Sequence, residues 1–174
     1  MINSLEKHSF ETLPFYRGVS AEYAVDCPSI HAPRTNRRPK NSSIHFHTIA
    51  DRWFAKRFGI HYRSNAVFLT SGVLSATTYA HSPAHVMRIL PLGPYRFCWS
   101  ANVSDLLFSA TQFAEAEEAV IEAHMDSKGY CESDLLKAYE IGHEVMLYCE
   151  QYIAIPIGLC GVKPKSTSAS ILLA

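Results

Sequence analysis

Apolar residues recur along this chain at two spacings, and the two together predict an α+β domain. Ile49, Trp53, Phe54 and Phe58 fall at helical spacing, which predicts a helix over residues 44–58 that Gly59 ends. Segments rich in β-branched and aromatic residues predict strands over residues 13–19, 66–70, 85–90, 95–100 and 144–155. Further helices are predicted from Gly72 to residue 80, over residues 109–124, and over residues 133–139 with Ser133 as the N-cap.

Three segments lack either spacing. Residues 27–43 are polar and punctuated by proline, which predicts a long loop, and residues 91–94 (Pro-Leu-Gly-Pro) predict a turn between two strands. The segment from residue 158 to the end is a tail that we expect to be weakly ordered. The pattern therefore predicts a single domain over residues 1–157 followed by a C-terminal tail over residues 158–174.

Composition limits the classes of protein to consider. The 174 residues are 48% hydrophobic and 18% charged, which is typical of a globular domain able to bury a core. No apolar run approaches the roughly 20 residues that span a bilayer, and the N-terminus lacks a signal-peptide pattern, so we expect no membrane partner. Five scattered cysteines without such a signal favour reduced thiols and a cytoplasmic location.

The net charge is zero, but the charged residues are segregated along the chain. Residues 31–65 contain eight Lys or Arg and only one acid, Asp51, whereas residues 100–150 contain eleven acids and two lysines. The basic segment is suited to face phosphates, either of a dinucleotide or of a nucleic acid. The alternative is a solvated loop and helix whose charges pair with the acidic half.

Three short motifs then suggest a particular chemistry. Phe15-Tyr16-Arg17-Gly18 places an arginine on an early strand, Val67 to Ser71 is a strand that ends in Thr-Ser, and Gly142-His143-Glu144 enters the last strand. This order resembles the Arg–Ser/Thr–Glu arrangement of ADP-ribosyltransferases, in particular compact bacterial or phage-borne members that act as toxins or in phage–host conflict. The resemblance implies the split β-sheet core of that family with peripheral helices, and NAD as co-substrate.

The resemblance also implies roles for individual residues. Glu144 would stabilise the oxocarbenium-like transition state of NAD cleavage and bind a ribose hydroxyl. Arg17 would grip the pyrophosphate, a bidentate task that suits a guanidinium. Thr70 and Ser71 would bind the ribose or support Glu144. Further cofactor contacts are expected at Gly18, Arg63 and Tyr79.

The acceptor of the ADP-ribose is left open by the sequence. Many family members that modify arginine carry an acid two residues before the catalytic glutamate, and here that position is Gly142. Acceptors to consider are therefore other side chains, nucleic-acid bases (RNA or DNA) or water. We expect His143 and the loop residues Arg34, Arg37 and Arg38 on the acceptor side. A toxin-like role would also imply a neutralising protein partner.

Two other functions remain as alternatives. An NAD glycohydrolase would use the same site with water as acceptor, and a non-catalytic nucleic-acid-binding protein would use the basic segment 34–63. In the latter, Phe46, Trp53, Phe54 and Tyr62 would stack on bases, although core packing is the expected fate of Trp53 and Phe54. His45 with His47, on one face of a strand, and His81 with His85 lack a third ligand at suitable spacing, so no metal is expected.

Overall fold

Five strands form one antiparallel sheet in the computed structural model, which describes residues 9–38 and 43–159. The strands are β1 (Phe15–Gly18), β2 (Ser29–His31), β3 (Val67–Leu69), β4 (Val86–Trp99) and β5 (Val145–Pro156). The two long strands, β4 and β5, pair along most of their length. β1 adds to β4, whereas β2 and β3 pair with opposite ends of β5.

One further bridge changes the shape of the sheet. The Tyr16 N–H donates to the Thr70 carbonyl at 2.7 Å and the Thr70 N–H donates to the Tyr16 carbonyl at 3.0 Å, so the end of β3 also pairs with β1. The strands β1, β4, β5 and β3 therefore form a closed circuit. This circuit brings the segments that carry Arg17, Thr70 and Glu144 to one region of the molecule.

Six α-helices surround the sheet in the described part of the chain. They are α1 (Ile44–Phe58), α2 (Tyr62–Asn65), α3 (Val73–Thr77), α4 (Leu106–Gln112), α5 (Glu118–Asp126) and α6 (Leu135–Ile141). None of these helices combines the length and apolar character that a membrane crossing requires. The chain is thus an α+β domain with an antiparallel sheet.

Alternation along the strands divides the core between the two faces of the sheet. Val145 and Leu147 of β5 pack with β1 and α6 on one face, whereas Met146 between them packs under α1 on the other. On β3, Phe68 likewise points to the α1 side while its neighbours Val67 and Leu69 face the opposite cluster. This period of two sets the direction of Phe68, which the site uses.

The predicted helix α1 and the predicted strands β3 and β5 are confirmed close to their expected bounds. α1 has the predicted bounds, and Gly59 ends it in the left-handed conformation at φ 73°. The predicted turn over residues 91–94 is wrong, because β4 runs through it: two residues, 93 and 94, oppose one residue of β5 in a β-bulge. Gly93 adopts φ 72° there, which glycine permits at no steric cost.

Four other expectations need correction. The predicted helix over residues 109–124 is two helices, α4 and α5, and the predicted loop over residues 27–43 contains β2. Asp134 rather than Ser133 caps α6, and its carboxylate accepts the Lys137 N–H at 3.2 Å. The histidines at positions 45 and 47 lie on α1 instead of a strand, one exposed and one buried. Lys40 and most of the predicted tail, residues 160–174, lie outside the described residues, and the domain boundary at residue 157 stays a prediction.

The basic segment is divided by the fold. Arg52 pairs with Glu118 at 2.7 Å and Lys56 with Glu122 at 2.6 Å, so α1 turns part of its charge toward the acidic helix α5. The four aromatic residues considered for base stacking are all buried, at 0–7% exposure: Phe46, Trp53, Phe54 and Tyr62. They pack in the core and cannot stack on an external base.

Candidate active site

Glu144 is held at the turn between α6 and β5 by three hydrogen bonds to two other segments of the chain. Gly142 ends α6 at φ 77°, and its carbonyl accepts the Thr70 hydroxyl at 2.9 Å. The Ser71 hydroxyl donates to the Tyr139 carbonyl at 2.6 Å. The backbone N–H of Glu144 donates to the Ser104 carbonyl at 3.0 Å. Thr70 and Ser71 therefore stabilise the backbone that carries Glu144. Of the two roles expected for them, ribose binding and support of Glu144, these hydrogen bonds favour the second.

Arg63 reaches the same carboxylate from α2. Its Nη1 lies 3.5 Å from Oε1 of Glu144, and the two side chains are only 10% and 20% exposed. At 3.5 Å the contact is an ion pair without a normal hydrogen bond. The sequence also suggested Arg63 as a cofactor contact, and the fold brings it beside Glu144.

Asp51 of α1 stabilises the N-terminus of the short helix α2. Its Oδ1 accepts the backbone N–H groups of Arg63 at 2.8 Å and Ser64 at 3.1 Å, and its Oδ2 accepts the Ser64 hydroxyl at 2.5 Å. Oδ2 also lies 3.0 Å from Nδ1 of His61. These are the first N–H groups of a four-residue helix, which would otherwise lack partners. The only acid in the basic segment thus caps α2 and fixes the start of the Arg63 side chain.

The Phe68 ring lies under two guanidinium groups. The Cζ of Arg37 is 4.2 Å and that of Arg63 is 4.9 Å from the ring centroid, both within the range of a cation–π contact. The Arg37 N–H donates to the Ser64 carbonyl at 3.1 Å, which fixes this part of the 33–38 loop against α2. Arg37, expected on the acceptor side, is therefore beside Arg63 and the carboxylate.

Burial and neighbouring charges shift the pKa values of both Glu144 and Arg37. Burial raises the pKa of Glu144 to about 7; Arg63 lowers it, Asp105 raises it, and Arg37 lowers it to a smaller extent. Arg37 as a whole is exposed, but packing of its guanidinium on Phe68 and against its neighbours removes part of its solvent and, with the nearby charges of Arg17 and Arg63, lowers its pKa to about 10. A carboxyl group that titrates near neutrality thus lies within a cluster of positive charge.

Arg17 joins this cluster at its β1 side. Its charge acts on Arg37 and, after burial, lowers the pKa of His31. His31 stacks on Tyr23 with ring centroids 4.3 Å apart, and the hydroxyls of Tyr23 and Tyr152 are 3.0 Å apart. Arg17 is therefore close enough to both His31 and Arg37 for its charge to act on them.

Tyr79 and Asp105 lie on another side of Glu144. The Tyr79 hydroxyl donates to Oδ2 of Asp105 at 2.6 Å, while Oδ1 accepts the Leu107 N–H at 2.7 Å as the N-cap of α4. That hydrogen bond, with burial and the charges of Asp105 and Glu144, raises the pKa of Tyr79 to about 12. Tyr79 is 64% exposed, so this pair is open to solvent beside the carboxylate.

The remaining predicted site residues have different positions. A Cβ on Gly18 would lie 2.3 Å from the Ala76 carbonyl oxygen, so the small size of Gly18 permits the close crossing of β1 and α3, and the cofactor contact expected there stays a prediction. His143 is half-buried with Nδ1 3.2 Å from the Ser100 carbonyl. Arg34 is exposed and close enough to act on Arg37, and Arg38 is exposed on the same loop.

Three contributing residues were not predicted from the sequence: Asp51, Phe68 and Asp105. Asp51 had a signal, since it is the only acid in the basic segment. Asp105 had one as well, because Ser-Asp before an apolar run is typical of a helix N-terminus. Phe68 had none beyond its place in the middle of a strand.

Comparisons with known proteins do not extend this picture. The sequence matches no protein-family model, and neither the characterised proteins nor the solved structures include a significant match. Among the described residues there is also no group of three or more His, Cys, Asp or Glu arranged to hold a metal ion.

Proposed function

We propose that this chain is a mono-ADP-ribosyltransferase that cleaves NAD and transfers ADP-ribose to a macromolecular acceptor. The observation that carries the proposal is the pair of Arg37 and Arg63 beside one carboxylate, Glu144, whose pKa is about 7, with Arg17 close enough for its charge to act on Arg37. NAD needs cations for its diphosphate and a carboxylate beside the ribose, where positive charge develops. The split sheet that the sequence resemblance implies stays a prediction, since the strands observed here form one antiparallel sheet.

The residues of the cluster would share the reaction as follows. Arg17 and its neighbouring arginines hold the diphosphate and orient the ribose toward Glu144. The bond between C1′ of the ribose and the nicotinamide nitrogen breaks, and its electron pair leaves with neutral nicotinamide. The acceptor nucleophile forms the new bond to C1′, and its proton passes to the carboxylate of Glu144. Arg63 keeps that carboxylate in place throughout.

The positions of Thr70 and Ser71 support the role proposed for Glu144. Their hydroxyls bind the carbonyls of Gly142 and Tyr139 and so fix the turn from which Glu144 projects. A carboxylate contributes to a transition state only when its position is set before the reaction. His143, which lies in this turn, would contact the acceptor, and Tyr79, whose hydroxyl binds Asp105, would contact the cofactor.

The test is nicotinamide release from NAD, labelled in its adenylate half, with a cell lysate as the source of acceptors. We expect release by the wild-type protein and a loss on the order of hundredfold or more in Glu144→Gln. Glu118→Gln is the matched control, because it removes the same charge from an exposed surface pair. Equal rates in wild type and Glu144→Gln, or no release by wild type, would refute the proposal.

The labelled product separates the remaining alternatives. Label in protein or nucleic acid identifies the acceptor class, whereas free ADP-ribose alone identifies an NAD glycohydrolase. The nucleic-acid-binding alternative predicts no release and binding that weakens steeply with salt. It is less favoured, since Arg52 and Lys56 are paired with α5 and the aromatic residues of the segment are buried.

A further inference from the structure

The positive charge of the Arg63 guanidinium is only partly neutralised by neighbouring acidic groups. Its side chain is nine-tenths buried, its Nη1 lies 3.5 Å from Glu144, and its Nε is buried with no hydrogen-bond partner among the described residues. A buried guanidinium ordinarily has its donors satisfied, since an unpaired charge away from water is costly. This side chain therefore indicates a missing anionic partner.

The nearby acids do not supply that partner. Both oxygens of Asp51 are occupied by the start of α2 and by His61. Asp105 is occupied by Tyr79 and by the N-terminus of α4. Glu144 is thus the acid left to face Arg63 and Arg37 together, and burial disfavours its charged form.

Two guanidinium groups close to one aromatic ring are suited to bind an anion with more than one charged group. The Cζ atoms of Arg37 and Arg63 both lie within 5 Å of the Phe68 centroid, and Arg17 and Arg34 extend the positive charge from Arg37. Guanidinium groups bind phosphate oxygens in pairs of parallel hydrogen bonds. A group with two linked phosphates can contact both arginines at once.

We infer that Arg37 and Arg63, on the Phe68 ring, form a diphosphate subsite for a dinucleotide or nucleoside diphosphate. This inference rests on the proposed function for the location of the site, but it assigns the diphosphate chiefly to two arginines outside β1. Arg63 has two contacts in this arrangement, the ligand and Glu144. It is therefore a positioning residue for the carboxylate as well as a ligand-binding residue.

The experiment measures binding of inorganic pyrophosphate and inorganic phosphate by calorimetry at low ionic strength, without NAD. Wild type should bind pyrophosphate about tenfold or more tightly than phosphate. Arg63→Gln and Arg37→Gln should each weaken pyrophosphate binding about tenfold or more, as expected for loss of hydrogen bonds to a charged group. Arg52→Gln is the matched control, since it removes the same charge from an exposed pair on α1 and should change binding less than about threefold.

A conservative variant guards against a folding defect. Arg63→Lys keeps the charge but loses the planar pair of donors, so its affinity should fall between those of wild type and Arg63→Gln. Circular dichroism and thermal melting establish that each variant is folded. Unchanged pyrophosphate affinity in folded Arg63→Gln, or an equal loss in Arg52→Gln, would overturn the inference.

The outcome is separable from that of the proposed function. Pyrophosphate binding that depends on Arg63, without nicotinamide release, would keep the subsite and refute the reaction. Nicotinamide release with pyrophosphate binding indifferent to Arg63 would keep the reaction and refute the subsite. If both hold, Arg63→Gln should raise the KM for NAD and lower kcat, because it removes a ligand contact and loosens Glu144.

Discussion

Replacement of Glu144 by glutamine should make the protein more stable above neutral pH, although it removes the central group of the site. Burial, which Arg63 and Arg37 only partly offset, raises the pKa of this carboxyl from 4.5 to about 7. The folded protein therefore holds the Glu144 proton more tightly than the unfolded chain does. One pH unit of difference corresponds to about 1.4 kcal/mol, so ionised Glu144 costs at most about 3 kcal/mol of folding free energy.

The pH at which this cost acts follows from the two pKa values. Below about pH 4.5 both folded and unfolded chains keep the proton, and Glu144 has no effect on stability through its titration. Between pH 4.5 and about 7 the unfolded chain loses the proton first, so stability falls as the pH rises. Above about pH 7 the full cost is present. Glutamine is neutral at every pH and similar in shape, so the variant does not have this folding free-energy cost.

Urea denaturation at pH 5 and pH 8 provides the measurement. Glu144→Gln should exceed the wild type by less than about 1 kcal/mol at pH 5 and by about 2–3 kcal/mol at pH 8. Glu118→Gln, at an exposed ion pair, should show little change at either pH. If Glu144→Gln is the less stable protein at pH 8, its pairing with Arg63 outweighs its burial and the reasoning about its pKa is wrong.

Two further variants test how the fold supports the site. Gly18→Ala should lower the free energy of unfolding by roughly 2–4 kcal/mol in urea denaturation, because its Cβ would lie 2.3 Å from the Ala76 carbonyl oxygen; an unchanged midpoint would contradict the close crossing. Thr70→Val removes the hydroxyl that donates to the Gly142 carbonyl, so nicotinamide release should fall about tenfold in kcat with a smaller change in KM. Thr111→Val, on an exposed helix turn, is the control, and an equal loss there would rule out a specific role for Thr70.

The long elements of this fold could be predicted because their apolar pattern is set by local spacing. α1 and β5 bury a regular set of side chains over 15 and 12 residues, and both were predicted close to their observed bounds. α2 and β2 have only four and three residues, too few for a periodic pattern. They form because distant groups stabilise them: Asp51 caps α2, and β5 pairs with β2.

The bulge in β4 shows how tertiary pairing can override a local signal. Pro-Leu-Gly-Pro is typical of a turn, and Gly93 does adopt the left-handed conformation that such a turn often uses. Pairing with β5 on both sides of the segment nevertheless keeps the strand continuous. A sequence that is typical of a turn therefore forms a β-bulge with one extra residue in β4.

The candidate site was predictable to the extent that it depends on residue type. Arg17 and Glu144 could be selected because the motifs around them resemble those of ADP-ribosyltransferases, and Arg63 was added as a further cofactor contact. The position of Arg37 over Phe68 could not, since it depends on a hydrogen bond from the loop to Ser64, far along the chain. The direction of the Thr70 and Ser71 hydroxyls is likewise a result of where α6 ends.

The central position of β5 in the sheet affects how the protein folds during its synthesis. This strand pairs with β2, β3 and β4, so more than 110 residues separate β2 from the segment that completes its ladder. During synthesis the earlier strands have unpaired edges until β5 has been made, and unpaired edges favour association between chains. Folding dominated by pairings this distant is expected to be slow. Since Glu144 immediately precedes β5, the candidate site is assembled in the same late step that closes the sheet, and shorter nascent chains contain the arginines without the carboxylate.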